Sequence, residues 1–405
     1  MSTTLQTGTT PILARLCQNP VVVDVECTIS NKGNSFDLNN KLVTIQLKEN
    51  NNEPIVLTKD NFANAIPILN RASVIVGFNL KFDLNWLQRE LGYQANCVWD
   101  CQLAEYMFSA QTWRYPDLNT TCDNYMVGHK LNRVAEYWAQ GVDTDAIPFD
   151  VLAEYGAQDV ELTYAVFQNQ VAKFCDGYQQ QFRLFRLHCN DLLVLQDMEF
   201  NGICYDTEAS LKQSESLEKQ IRELERKLLE FIGNVPINFD SNDHISSLLY
   251  GGTITENVRV PIGVYKSGAK VGQTRFKIVP KEYNLPRLVE PLKGSELKKE
   301  GYYSTDESTL LSLKTNKTSK GMITWLLERS KLMKLKSTYL EGLPNVITKH
   351  NWKPNMLHSN LNQCVAATGR LSSTKPNQQN LPKEAKRFCI STGISSNAIA
   401  PTLRL

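Results

Sequence analysis

The chain runs to 405 residues, 42% of them apolar and 21% charged, with a formal net charge of +2. That is enough for two or three domains with cores of their own, in an ordinary globular composition. A membrane-spanning helix is excluded by the lack of any run of about 18 apolar residues, and polar Met1–Thr10 lacks the layout of a secretion signal.

Val21–Glu26, Leu42–Leu47 and Ile55–Leu57 are predicted strands, rich in β-branched residues and parted by polar turns. Helical and strand patterns then alternate over Ala63–Asn70, Val74–Gly77, Leu84–Leu91, Asp100–Phe108, Leu131–Gln140 and Val151–Gln168. Such an order predicts an α/β fold, a mixed sheet flanked by helices. The ten cysteines include no Cys-x-x-Cys pair. Cys97, Cys101 and Cys122 have only the isolated His129 near them, so reduced thiols in a cytoplasmic setting are expected rather than structural zinc.

Arg183–Phe200 is apolar at helical spacing, with Gly202 as its stop and Asp206 or Thr207 as the next cap. Leu217, Ile221, Leu224 and Leu228 then form one stripe on a charged helix. Residues 257–300 carry ten Lys and Arg against four Asp and Glu, with Pro and Gly scattered through them and no helical period. They read as an insertion that is solvated or meets a partner. Trp325–Tyr339 is a second amphipathic helix, with Leu326, Leu332, Leu335 and Tyr339 inward and Arg329, Lys331, Lys334 and Lys336 outward. Charge is unevenly shared: residues 20–165 hold 19 acids and 10 bases, leaving the rest of the chain basic. That suits an acidic, metal-holding part beside a part that grips nucleic acid.

The chemistry is carried by Asp24 and Glu26 at the end of the first strand. Positions i and i+2 face one side, and two acids so close call for a cation such as magnesium or manganese. Gly77-Phe78-Asn79-Leu80-Lys81-Phe82-Asp83 follows the strand Val74–Val76, and Tyr155 and Asp159 share one helix face at a spacing of four. In order and spacing these stretches resemble the three motifs of DEDDy 3′–5′ exonucleases, the proofreading domains of family A DNA polymerases. The resemblance implies an RNase H-like exonuclease domain. In it Asp24, Glu26, Asp83 and Asp159 hold two divalent ions (Mg2+ or Mn2+), and Tyr155 orients the attacking water. Asn79 and Phe82 seat the last nucleotides, with Phe82 alternatively plain core.

Further along, Met198–Asp206, Phe239-Asp240-Ser241, Leu248–Gly252 and Tyr302–Thr305 resemble the thumb of the same polymerases. His358-Ser359-Asn360, Thr368–Ser373 and Pro376–Pro382 resemble their first palm motif. The resemblance puts Arg370 at the minor groove near the primer end and Gln379 and Asn380 along the DNA. Gln378 departs from the usual apolar residue. After Gly393 the polymerase carboxylates do not appear, and residues 393–405 read as an arbitrary end.

The expected organisation is an RNase H-like exonuclease domain over 1–180, a mainly helical thumb over 181–355 and an incomplete palm over 356–405. The palm piece is expected to be poorly ordered without its sheet neighbours. The expected function is 3′–5′ exonuclease of a split or truncated polymerase, acting on single-stranded 3′ ends and primer-template DNA. A separate C-terminal polymerase chain is its expected partner, and beside the thumb the 257–300 insertion lies against duplex DNA or docks a processivity factor, if it is not merely solvated. Were the gene a phage's, the host cytoplasm would be its place. The alternatives are a non-catalytic DNA-binding subunit and a stand-alone RNase D-like exonuclease.

Overall fold

A computed structural model describes residues 9–130, 133–233 and 235–390; the tail 393–405 lies outside them. In chain order the elements begin with α1 (Thr9–Leu16), β1 (Pro20–Cys27), β2 (Leu42–Glu49), β3 (Ile55–Thr58), α2 (Ala65–Asn70), β4 (Val74–Gly77) and α3 (Lys81–Leu91). Next come β5 (Val98–Asp100), α4 (Cys101–Phe108), α5 (Leu118–Tyr125), α6 (Arg133–Ala139), α7 (Phe149–Cys175), α8 (Gln179–Asn201), β6 (Ile203–Tyr205) and α9 (Thr207–Ile232). The remainder is α10 (Asn242–Tyr250), β7 (Gly252–Val264), β8 (Thr274–Leu285), α11 (Glu307–Ser312), α12 (Lys317–Lys334), α13 (Gly342–Lys349), β9 (Met356–Leu357), β10 (Asn360–Asn362), β11 (Ser372–Thr374), α14 (Lys383–Lys386) and β12 (Cys389–Ile390).

These elements form two compact units, one of residues 1–208 and 342–405, the other of residues 209–341. α8 and the segment from α13 onward belong to the first unit. The first unit is built on a mixed sheet in the order β3-β2-β1-β4-β5. β1 runs antiparallel to β2 and parallel to β4, and as a central strand covered on both faces it reads as the near-continuous apolar run Val21–Val25. α7 packs across β1 and β2. The core joins Val22, Ile45, Val76, Trp86 and Trp99 to Phe174 and Phe185 of α7 and α8.

The palm-like segment is tied into this unit. β9 and β12 pair with the two edges of β6, and His358 stacks on Phe36 with ring centroids 4.0 Å apart. Buried Glu199, at the end of α8, accepts a 2.6 Å bond from Lys81 Nζ and another from the Leu361 amide. Over 356–390 the palm-like segment forms short strands and turns within the first unit. β10 packs against α8, while β9 and β12 are held by β6.

In the second unit the α9 stripe of Leu217, Ile221, Leu224 and Leu228 is buried as expected. Leu228 joins a core with Leu248, Leu249, Met322 and Leu326. Arg329 is not on the outer face. It is buried, donating to Glu225 Oε1 at 2.7 Å, Asp240 Oδ1 at 3.0 Å and the Phe239 carbonyl at 3.1 Å. A guanidinium with three acceptors is one of the few charged groups that can be buried. Lys336 is likewise engaged, by Glu218 and Glu341. The insertion begins not as irregular chain but as the long antiparallel pair β7–β8.

Candidate active site

Three segments bring the acids together. β1 pairs with β4 only as far as Val22↔Val76, so beyond Gly77 the edge of β1 has an amide without a strand partner. Asp83, in the first turn of α3, fills that place: its Oδ1 accepts the Val25 amide at 3.1 Å. The loop ahead of α3 is held by buried Asp100, which accepts the Leu80 amide at 2.8 Å while capping α4 through the Leu103 amide at 3.0 Å. Asn79 in that loop has a left-handed φ of 61°. From the other side, α7 presents Tyr155 and, one turn on, Asp159, both buried.

Asp24, Glu26 and Asp159 each offer an oxygen such that all three lie within 4.8 Å of one another. Asp83 is not one of these three; its Oδ1 is taken by the Val25 amide. Burial, and then the charge of Asp159, push the Asp24 carboxyl up to about 7. Burial and the Asp24 charge raise Glu26 and Asp83 well above the usual carboxylate range. Burial raises the Tyr155 hydroxyl as well, keeping it a protonated donor at neutral pH. Among the described residues Asp24 Oδ2 and Asp159 Oδ1 are buried oxygens with no hydrogen-bond donor. Unmatched carboxylate oxygens around one point are what a hard divalent cation requires, so the residues fit such an ion.

Lys130, in the loop between α5 and α6, also reaches the group. Its Nζ lies 2.5 Å from Asp159 Oδ2 and 4.5 Å from the centroid of the Tyr155 ring. Burial disfavours its charge, but Asp159 foremost, with Asp24, outweighs that and holds the ammonium above the ordinary lysine value. Sequence reasoning missed it, since a lone loop lysine has no period or motif to mark it. Lys130→Met is expected to leave the acids without their cation and lower the chelator-treated protein's stability by about 2 kcal/mol, the buried-pair cost discounted for partial exposure. That corresponds to a Tm lower by about 4–8 °C. Added Mn2+ should then raise the Tm of the variant more than that of the wild type.

Among the other expected positions, Phe82 packs against the core of the unit. Asn79 lines a small pocket with Lys81, Asp100, Tyr115 and Asn362. Arg370, Gln379 and Asn380 are exposed, and Gln379 Nε2 donates to the Leu371 carbonyl at 3.2 Å.

Comparison with known proteins finds two family matches. The family model of 3′-5′ exonuclease matches residues 4–171, and that of DNA polymerase family A matches residues 284–396. The chain is 26% identical over 306 residues to DNA polymerase I of Synechocystis sp., covering 75% of this chain and 26% of that protein. It is 25% identical over 333 residues to the DNA polymerase of Bacillus phage SP01, covering 76% and 34%. The chain thus spans between a quarter and about a third of these curated relatives. In fold it is similar to the POL domain of Pol1 from M. smegmatis, solved in complex with DNA primer-template and dNTP. The TM-score is 0.59 at 18% identity, over 94% of this chain and 56% of that one. No helix among the described residues is long and apolar enough to cross a membrane.

Proposed function

We propose, for a chain that belongs to the family A DNA polymerases and carries their 3′–5′ exonuclease domain, that it removes nucleotides from DNA 3′ ends as a proofreading exonuclease in DNA replication. The observation that carries this reading is the meeting of Asp24 and Glu26 from β1 with Asp159 from α7, with Tyr155 one turn away. The domain implies dependence on divalent metal. In our reading Asp24, Glu26, Asp83 and Asp159 hold two ions, Mg2+ or Mn2+. Bound there, such ions supply Lewis-acid polarisation of the phosphoryl oxygens and water acidified toward neutral pH.

The chain's own residues do the rest. The Tyr155 hydroxyl donates to the attacking water and aligns it with the terminal phosphorus. The water oxygen bonds to phosphorus as the bond to the 3′ oxygen breaks, the water's proton passing to solvent and the 3′ oxygen taking one up from it, so that a nucleoside monophosphate and a shortened 3′-hydroxyl end are released. Asn79 seats the terminal nucleotide, with Phe82 as the wall behind it. Frayed or single-stranded ends are favoured because the last bases must leave the duplex to enter. Arg370, Gln379 and Asn380 lie along primer-template DNA. Nucleotide addition needs carboxylates that residues 356–392 do not supply, so extension depends on residues beyond them, on a further segment or a separate C-terminal chain. An intracellular setting follows from that role.

Tyr155→Phe is expected to cut turnover about 10–100-fold while leaving the metal concentration for half-maximal activity unchanged. The reading itself is tested on a 5′-labelled primer-template with Mg2+, with and without dNTPs. Shortening in both, without extension, is the expected result; no shortening with either Mg2+ or Mn2+ would favour a non-catalytic DNA-binding subunit.

A further inference from the structure

β7 and β8 form a two-stranded ribbon about 40 Å long at the usual rise per residue, exposed on both faces beyond Ile254 at its base. α10 packs against that base. A bare two-stranded ribbon of this length gains little by burial and is marginal alone in water, so its form calls for a partner. Its charge says which. From Asn257 to Pro280 the sequence holds Arg259, Lys266, Lys270, Arg275 and Lys277 and no acid. The ion pairs nearest in sequence, Arg287–Glu290 and Lys299–Asp243, lie outside this stretch. Among the described residues these five cations have no carboxylate partner.

The register places the cations on both faces. Arg259 lies opposite Ile278, on the face that also carries Phe276, whose ring it covers at 4.9 Å. Lys277 lies opposite Val260 and Arg275 opposite Gly263, on the other face. Lys266 and Lys270 are at the tip. A protein partner docked on a sheet meets one face. A duplex groove presents phosphates on both walls, and the major groove is wide enough for a two-stranded ribbon. The exposed valines and isoleucines supply the β-branched packing that such strands need.

We propose that the β7–β8 ribbon enters a groove of duplex DNA, with these five cations on its phosphates. The inference rests on the reading of the chain as a DNA enzyme, but its test is binding rather than cleavage. The full chain, in EDTA, is titrated with a fluorescent blunt duplex and with a single strand of the same length across a salt series. The comparison is with R259Q/K266Q/K270Q/R275Q/K277Q, whose folding is checked by its Tm.

Each phosphate contact contributes about 0.9 to the slope of log affinity against log salt for duplex DNA. The variant should therefore lose about three to five from that slope and more than about tenfold in duplex affinity, with a smaller loss on the single strand. Equal slopes and affinities for wild type and variant would overturn the proposal. So would normal duplex binding by the charge variant together with a drop in sedimentation coefficient for V260T/I262T/I278T, which would make the ribbon a protein-docking face. A wild-type chain that shows the slope change yet degrades no DNA would keep this inference and remove the exonuclease.

Discussion

Replacing Asp24 and Glu26 together with alanine is expected to abolish metal-dependent shortening of a 5′-labelled strand, by at least about a thousandfold. Several kcal/mol of metal-borne stabilisation correspond to that factor. The same variant should show a second, opposite change in stability. In the metal-free wild type Asp24, Glu26 and Asp159 lie within 4.8 Å of each other, and burial followed by mutual repulsion raises the first two above their ordinary values. A carboxyl whose folded value is raised binds its proton more tightly in the folded state. It therefore adds no penalty below about pH 4 and removes stability as pH climbs to about 7, where the Asp24 group ionises. Metal-free wild type should lose stability over that range and the double variant should lose less, ending the more stable of the two at pH 8. Mg2+ or Mn2+ should raise the Tm of wild type, by the linkage of binding to folding, and leave the variant unmoved. Undiminished nuclease activity in a clean preparation of the variant would remove the assignment, and an unchanged Tm response to metal would remove the ligands.

The site was legible where its geometry is local. Asp24 and Glu26 share a face because a strand repeats every two residues, and Tyr155 and Asp159 because a helix nearly repeats every four. Their convergence across more than a hundred residues came from resemblance, not from periodicity. What sequence could not give are contacts set by the fold as a whole. Lys130 sits in a loop and matters only because α7 brings Asp159 to it. Asp83 was named among the metal-holding acids, and its bond to the Val25 amide, made where the β1–β4 pairing ends, is a contact that no motif announces. Arg329 was placed on the outer face because charge on a helix usually faces outward, whereas its acceptors, Glu225 and Asp240, lie about ninety residues or more away in sequence. The ribbon β7–β8 was hidden by Pro261, Gly263 and Pro280. The first two flank a register shift, so the strand alternation does not run unbroken.

Gly156→Ala is expected to be the most damaging substitution outside the carboxylates, with turnover about a hundredfold lower. The reason is spacing between layers. Gly156 lies on the face of α7 that rests on β2, and a methyl there would stand 2.7 Å from Cδ of Gln46. Gln46 is fully buried, its Nε2 donates to Thr44 Oγ1 at 2.9 Å, and in register it is the partner of Asp24. Because the overlap reaches back to Cγ of this buried side chain, the helix is expected to shift, and Tyr155 and Asp159 on either side of Gly156 to move with it, away from Asp24. A displacement of about 1 Å at a reacting centre costs roughly a hundredfold. The overpacking itself costs about 1–3 kcal/mol, partly offset by the better helix propensity of alanine. Stability should therefore fall only modestly while activity falls steeply. Gln46→Ala removes the obstacle, so Gly156→Ala combined with Gln46→Ala should recover most of the lost rate, more than either change alone predicts if the two acted independently. A folded double variant as slow as Gly156→Ala would mean that the helix is set by something other than this contact.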